Sequence, residues 1–150
     1  MTYFSPEFPV MDGRRVVSRR FTFIVADRDG RPPVVDASLH YRDDDPYAIA
    51  MVLDGGPAGP VEWTFARDLL VEGLVQAAGL GDVRVAPAVE VAGAAAIELT
   101  SPDGTATLLG SSDELAGFLR STFAVVPVGC EGDHLPLDGA LAALLRSESH

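Results

Sequence analysis

The chain has 150 residues, of which 47% are hydrophobic, and it carries a formal net charge of −11. This length favours one domain with a core of its own, and every apolar run is far shorter than the ~18 residues that cross a bilayer. An excess of acid repels a phosphate backbone and an anionic membrane surface, so we expect neither nucleic-acid binding nor membrane insertion.

The composition also excludes several kinds of site. All 11 basic residues are arginine, which removes the phosphate-binding lysine of a P-loop and the Schiff-base lysine of pyridoxal enzymes. The single cysteine, Cys130, allows no intrachain disulfide, and residues 1–13 lack the basic and apolar regions of a secretory signal. We therefore expect a cytoplasmic protein.

The first half of the chain predicts four strands and a helix. Apolar residues alternate with polar ones in three segments, and a fourth segment is apolar on both faces, which predicts a central strand. The predicted strands cover about 20–25, 35–42, 47–53 and 61–65, with turns or loops at Asp29-Gly30, Asp43 to Pro46 and 55–60. Helical spacing then predicts a helix over 66–78 with Gly79 as its C′ residue, and Gly73 inside it marks a close approach of another element.

The second half repeats this order of elements. Strands are predicted at about 82–91, 94–101 and 105–110, and Ser111 with Glu114 forms the capping box of a helix carrying Leu115, Phe118 and Leu119. A further strand is expected around 123–126. Leucines spaced three and four apart, Leu141, Leu144 and Leu145, predict a last helix over 138–146. The pattern predicts an α+β fold, largely antiparallel, with its helices grouped at one side or end.

Two segments combine residues that can perform chemistry. Cys130, Glu131 and His134 bring a thiol, an acid and an imidazole together, but one cysteine and one histidine fall short of a structural zinc site. We interpret this segment as a polar loop, with a hydrolase centred on Cys130 and His134 as the less favoured alternative. Asp43 to Asp45 lack the spacing of a calcium loop and are interpreted as a solvated turn.

Arginines cluster at positions 14, 15, 19 and 20. Charge at the edge and solvent face of a first strand discourages aggregation, and this is the favoured interpretation. The alternative is a docking patch for an acidic partner.

Three blocks in the middle of the chain are more specific than any of these features. They are Tyr41 to Ala48 (YRDDDPYA), Val61 to Leu70 (VEWTFARDLL) followed by Glu72 to Leu74, and Gly81 to Val85 (GDVRV). In their order and separation they resemble the SsgA-like proteins of sporulating actinomycetes, and the likeness extends over roughly residues 16–147.

The resemblance implies a Whirly-like α+β fold of two antiparallel sheets with associated helices, which assembles as a homo-oligomer, with a trimer expected. It implies a single domain over 14–147. Residues 1–13 depart from the family pattern, and we expect this extension either to be flexible or to pack on a neighbour. It also implies a septation adaptor without a cofactor, which acts with FtsZ or its recruiters at the sporulation septum. A Whirly-like fold suggests nucleic-acid binding by analogy alone, and the charge opposes it.

The matching blocks supply the candidate contact residues. Trp63, Phe65, Leu70 and Leu74 are expected to form either core or contacts with another chain, as are the three leucines of the last helix. Trp63 is expected to be buried. Arg67 and Asp68 are expected to form an ion pair at the helix start or to hydrogen-bond the backbone.

Overall fold

A computed structural model of the chain describes residues 10–11, 14–26, 33–55 and 59–134. The predicted turn at Asp29-Gly30 and the predicted helix over 138–146, with Leu141, Leu144 and Leu145, lie outside these ranges. Of the N-terminal extension, Val10–Met11 form a short strand that pairs with the start of the next one.

Eight strands, two helices and one helical turn form the described part of the chain. They follow the order β1 (Val10–Met11), β2 (Arg14–Val25), β3 (Val34–Arg42), β4 (Ala48–Leu53), β5 (Val61–Ala66), α1 (Arg67–Gly73), β6 (Val83–Pro87), β7 (Ala94–Ser101), β8 (Gly104–Ser111), α2 (Ser112–Val125) and a 3-10 turn (Glu131–His134). The predicted α+β class is confirmed.

All strand pairs are antiparallel, in the order β5-β4-β3-β2-β8-β7-β6. The strands are hydrogen-bonded into one continuous sheet, and we describe the first four strands of this order and the last three as two sheets because β2 and β8 pair only at Ile24 with Leu109 and at Val25 with Leu108. The predicted central strand, β4, is flanked by β3 and β5. Two sheets are therefore joined along a short seam.

The inner faces of both sheets and one face of α2 share a single hydrophobic core. Phe21 and Phe23 of β2 stack on each other, and Phe118 of α2 meets the Phe21 ring edge-on at a centroid distance of 6.2 Å. Such pairs contribute about 0.5–1.5 kcal/mol beyond the area they bury. The alternation along β3 is visible in the structure, where Ala37, Leu39 and Tyr41 are buried.

The two ends of the sheets differ. At one end, β3, β5 and β8 finish, and α2 runs from the end of β8 to the end of β5, where its last turn meets Arg67. We call this the helical end. At the other end, β2 and β4 finish, β3 and β5 begin, and a tight turn joins β7 to β8. We call this the open end.

Helix α1 is shorter than predicted. It ends at Gly73 instead of continuing to residue 78, and Ala78 forms an antiparallel bridge with Val85 of β6. Gly79 has a positive φ of 106° but does not cap the helix. The close approach predicted at Gly73 is present, since a Cβ there would lie 2.4 Å from Val85 Cβ. The chain leaves the helix because α1 has reached the β6 backbone.

Helix α2 is longer than predicted, and the strand expected at 123–126 is wrong. The capping box is confirmed in part, because Ser111 Oγ accepts a hydrogen bond from the Glu114 backbone N–H at 3.1 Å. The helix continues to Val125 because Phe118, Leu119, Thr122 and Val125 bury one continuous face. A short apolar run is ambiguous between strand and helix from its sequence alone.

Candidate partner-binding surfaces and a buried arginine

The first residue of α1, Arg67, is buried at the helical end, with 1% of its surface exposed. Its Nη1 donates to the Val126 carbonyl at 2.9 Å and to the Thr122 carbonyl at 3.3 Å. Both oxygens lie at the C-terminus of α2, where carbonyls are short of backbone donors, although the Thr122 carbonyl also accepts from the Val126 backbone N–H at 2.9 Å. A side chain at the start of α1 therefore caps the C-terminus of α2 and complements its dipole.

Two aromatic rings enclose the same guanidinium. Its carbon lies 4.1 Å from the centroid of Phe123 and 4.8 Å from that of Tyr41. The Tyr41 hydroxyl donates to the Pro46 carbonyl at 2.9 Å, and burial raises the pKa of Tyr41 to about 12. Tyr41 is therefore neutral and keeps its hydroxyl proton at physiological pH.

A carboxylate completes the cluster. Glu131 Oε2 accepts from Arg67 Nη2 at 2.9 Å, and Glu131 Oε1 accepts from the Gly129 backbone N–H at 3.0 Å. Hydrogen bonds from the backbone of Glu131 itself and from Arg67 lower the pKa of this carboxyl. The Arg67 cluster (Arg67, Tyr41, Thr122, Phe123 and Glu131) thus ties β3, α1, α2 and the 3-10 turn together.

Only part of this arrangement was predictable from the sequence. Arg67 was expected to form an ion pair or to bond backbone, and it does both, but its partners lie 55 to 64 residues further along the chain. Asp68 is exposed. The sequence signal that pointed to a buried arginine was a lone arginine between two apolar residues, Phe65 and Leu70, at a strand–helix junction.

The candidate contact residues fall into two groups. Phe65 (6% exposed) and Leu70 (0%) belong to the core of the single chain. Trp63 and Leu74 are only partly buried and pack against that core from its margin. Trp63 and Leu74 are therefore the described candidates with surface left for another chain, and the three leucines of the C-terminal segment lie outside the described residues.

Trp63 lines an apolar pocket of about 420 Å³ at the open end. Its lining includes apolar side chains from both sheets: Val25, Val35, Leu53, Trp63, Leu99 and Leu108. Asp54 and Asp103 also line it. The pocket therefore combines an apolar floor with acidic groups and contains the single tryptophan of the chain.

His40 forms a hydrogen-bonded network that the sequence analysis did not predict. Its Nδ1 lies 2.7 Å from Ser18 Oγ and its Nε2 lies 3.0 Å from Ser38 Oγ. Ser18 faces His40 directly in the register of β2 and β3, which a single sequence does not reveal. Burial lowers the pKa of His40, and Glu62 opposes that shift. In the described part of the chain the imidazole bonds hydroxyls, not the carboxylate that orients the histidine of a serine hydrolase.

The segment after α2 is organised around the Arg67 cluster. The thiol of Cys130 is partly buried against the core, and Glu131 is engaged by Arg67 and Gly129. The imidazole of His134 lies outside the described side chains. Within residues 10–11, 14–26, 33–55 and 59–134, no group of three or more His, Cys, Asp or Glu side chains could hold a metal ion.

The other two charged segments are solvated. Arg42 binds Asp44 through two hydrogen bonds, of 2.9 and 2.7 Å, in the turn that the sequence analysis interpreted as a solvated turn. In the basic cluster, Arg15 and Arg20 are exposed, whereas Arg19 donates to the Glu114 carbonyl of α2 at 3.2 Å. Arg19 and Arg20 point to opposite faces of β2, so the described arginines do not form one patch.

None of the helices in the described part of the chain has the length and the apolar run that crossing a membrane requires.

Comparison with known proteins identifies the family. Residues 35–131 match the family described as "Streptomyces sporulation and cell division protein, SsgA". The sporulation-specific cell division protein SsgB of Saccharopolyspora erythraea is 47% identical over 111 residues, which cover 74% of this chain and 79% of that protein. SsgB of Streptomyces coelicolor is 45% identical over 112 residues, covering 74% and 82%.

Two solved structures share the fold of this chain. The crystal structure of an SsgA-like sporulation-specific cell division protein from Thermobifida fusca has a TM-score of 0.75 at 32% identity and covers 94% of this chain and 99% of its own. A structure described with mutations in SsgB that correlate to longitudinal cell division in Streptomyces coelicolor has a TM-score of 0.76 at 38% identity, covering 81% and 97%. The family match, the sequence identity and the shared fold together place this chain in the SsgA family of sporulation and cell division proteins.

Proposed function

We propose that this protein is a sporulation-specific cell-division adaptor that acts through protein–protein contacts at the septum, where it helps to position FtsZ. The observation that carries the proposal is the agreement of its relatives, which are named sporulation-specific cell division proteins and match about three quarters of this chain. The residues of the most specific block support it. Phe65, Arg67 and Leu70 are built into the scaffold, which leaves the surface to recognise partners.

We also propose that the protein acts as a homo-oligomer, with a trimer as the expected form. Trp63 and Leu74 at the margin of the core supply apolar surface for such contacts. Light scattering at micromolar concentration should give a multiple of the 15.8 kDa chain mass. A clean monomer would contradict the assembly without touching the role in division.

The adaptor function is tested by deleting the gene in the host and following fluorescent FtsZ during sporulation. We expect irregular or missing FtsZ rings and misplaced septa, restored by the wild-type gene. A matched pair of complementing variants, Arg67→Leu and Arg42→Leu, separates loss of the fold from loss of an exposed charge. Regular FtsZ rings in the deletion strain would contradict the proposal.

A further inference from the structure

A groove of about 710 Å³ lies on the outer face of the β8-β7-β6 sheet, on the side away from the core. Val83 and Val85 of β6 are buried in the core, so Arg84 and Ala86 between and after them point the opposite way. In the register of the sheet, Ala86 faces Ala96 of β7, and both alanines line the groove. The floor of the groove is therefore formed by small side chains, which leave room for a side chain of another molecule.

The loop between α1 and β6 forms one wall of this groove and carries exposed apolar side chains. Leu80 lines the groove and is fully exposed, and Val75 is 79% exposed. The loop backbone is held in place, because Ala78 and Val85 exchange hydrogen bonds of 2.8 and 3.0 Å. Gly79 follows with a positive φ of 106°, a conformation that glycine adopts readily. Exposed apolar side chains gathered at a concave site mark a place where another molecule binds.

This surface does not bind by adding a strand to the sheet. β6 is the last strand of the order, but Ala78 already occupies the hydrogen-bonding groups of Val85 on the outer edge of β6. Pro87, at the end of β6, has no N–H to donate. Contact at this surface is therefore made by side chains, with a projecting leucine beside a groove that can receive one.

The charges of this surface suit a second copy of the same chain. Each copy carries a net charge of −11, so two copies repel each other unless they meet where the surface carries little charge. No charged residue lies between Glu72 and Asp82. Within the groove, Arg84 pairs with Glu98 at 3.5 Å, and Glu72 accepts a hydrogen bond from Gln76 at 3.4 Å. Two copies can therefore approach here with little repulsion.

We propose that this surface is the interface between copies of the chain, with Leu80 of one copy in the groove of the next, against Ala86 and Ala96. One patch carries both the projecting side chain and the groove that receives it, so the patch is complementary to itself. Two copies can make the contact reciprocally, and three copies can make it around a closed ring, the form expected above. The inference rests on the proposed homo-oligomer and adds the surface that builds it.

Two variants test the two halves of the contact. Leu80→Asp places a charge on the projecting side chain, and Ala96→Tyr fills the floor of the groove. Both positions lie outside the core, so both variants should keep the circular dichroism spectrum of the wild type. Light scattering over a range of protein concentrations measures the assembly. We expect each variant to need a concentration about tenfold higher, or more, to reach the mean mass of the wild type.

Matched controls make the same kinds of change elsewhere on the outer surface. Val34→Asp changes a valine that is 64% exposed on β3, four strands away from β6, and Thr64→Tyr adds the same ring at an exposed position of β5. Both controls should assemble like wild type.

Mixing the two test variants examines the pairing itself. Leu80→Asp keeps an open groove and Ala96→Tyr keeps its leucine, so one intact contact can form between them. We expect an equimolar mixture to reach a higher mean mass than either variant alone. A mixture that keeps the mean mass of the separate variants would overturn the contact between Leu80 and the groove.

The same measurements separate this inference from the proposed function. An oligomer that Leu80→Asp and Ala96→Tyr both leave intact overturns the inference, while the homo-oligomer and the adaptor role stand. A wild type that is monomeric at every concentration overturns the inference and the homo-oligomer together, and leaves the adaptor role to the test with FtsZ rings. If both variants keep the oligomer but lose binding of purified FtsZ, the groove receives a partner protein and not a second copy, and the inference fails.

Discussion

Trp63 and Arg67 are four residues apart in the same block, yet they serve opposite ends of the molecule. Arg67 lies at the helical end, where α2 covers the core and every partner of the guanidinium is internal. Trp63 lies at the open end, in an apolar pocket with acidic groups around it. The side chains of one strongly matching motif can therefore have different roles, one holding the scaffold together and the other lining a surface.

The largest expected effect is at Arg67. Arg67→Leu removes the cap of α2 and leaves Glu131 without its cation, which should lower the free energy of unfolding by about 3–5 kcal/mol. Arg67→Lys should recover little, because an ammonium does not reproduce the planar fork between two rings. Urea denaturation measures the loss of unfolding free energy in both variants.

The matched control is Arg42→Leu, since Arg42 pairs with Asp44 at 2.7 Å but is half exposed. It should cost less than about 1 kcal/mol. Equal losses at Arg67 and Arg42 would show that the buried cluster does not stabilise the helical end.

Gly73 is the next test, because it lies where α1 meets β6. Gly73→Ala would place a Cβ 2.4 Å from Val85 Cβ and 2.9 Å from the Val85 carbonyl oxygen. The strand must shift, which should cost about 3 kcal/mol in thermal or urea unfolding. Gly81→Ala, with nothing within 4 Å of its added Cβ, should be near neutral. A neutral Gly73→Ala would mean that α1 is free to move away from the sheet.

Trp63 has a smaller expected effect than its sequence context suggested. The sequence analysis expected a buried tryptophan, and the structure shows a partly exposed one at the margin of the core. Trp63→Ala should therefore cost about 2 kcal/mol, less than the ~3–5 kcal/mol of a fully buried aromatic.

Loss of the Trp63 side chain should also weaken partner binding, and this second effect distinguishes Trp63→Ala from Arg67→Leu. Melting and sizing of purified Trp63→Ala, together with FtsZ binding, check this. If Trp63→Ala unfolds outright, Trp63 is part of the scaffold, and the contrast between the two ends does not hold.

The difference between these residues explains how much the sequence could predict. Period-2 alternation located β3 and β5, and the capping box located the start of α2, because these signals are local. The ends of α1 and α2 were misplaced because contacts distant in sequence set them. Val85 meets Gly73, and Arg67 donates hydrogen bonds to the carbonyls at the end of α2. The pocket was not predicted because it joins both sheets across a seam of two residue pairs.

Glu131 gives a pH-dependent test of the helical end. Its folded pKa is lowered, so its contribution is present above the pKa of the unfolded chain and is lost as pH falls through the folded pKa. Glu131→Gln should lower the free energy of unfolding by about 1.5 kcal/mol near neutral pH.

Wild type and Glu131→Gln should converge in acid, because protonation removes the same charge from the wild type. Glu98→Gln is the control, since Glu98 meets Arg84 at 3.5 Å in an exposed pair. It should change stability by less than about 1 kcal/mol at neutral pH. A constant gap between wild type and Glu131→Gln from neutral to acid pH would contradict an ionised Glu131 in the cluster.

The smallest expected effect is at Cys130, beside the Arg67 cluster. The Cys130 backbone N–H donates to the Pro127 carbonyl at 3.0 Å, so its main chain forms part of the turn that leads to Glu131. The partly buried thiol packs against the core, and serine is close to it in size. Cys130→Ser should therefore change stability by about 0.5 kcal/mol or less and should still restore septation in a deletion strain. Thermal melting measures the change in stability, and complementation measures septation.

Measuring stability and septation separately matters because Glu131, the neighbouring acid, already binds Arg67 and Gly129. A variant that melts like wild type but fails in septation would show that the thiol itself is needed, and would favour chemistry at Cys130 over an adaptor that works by contact alone.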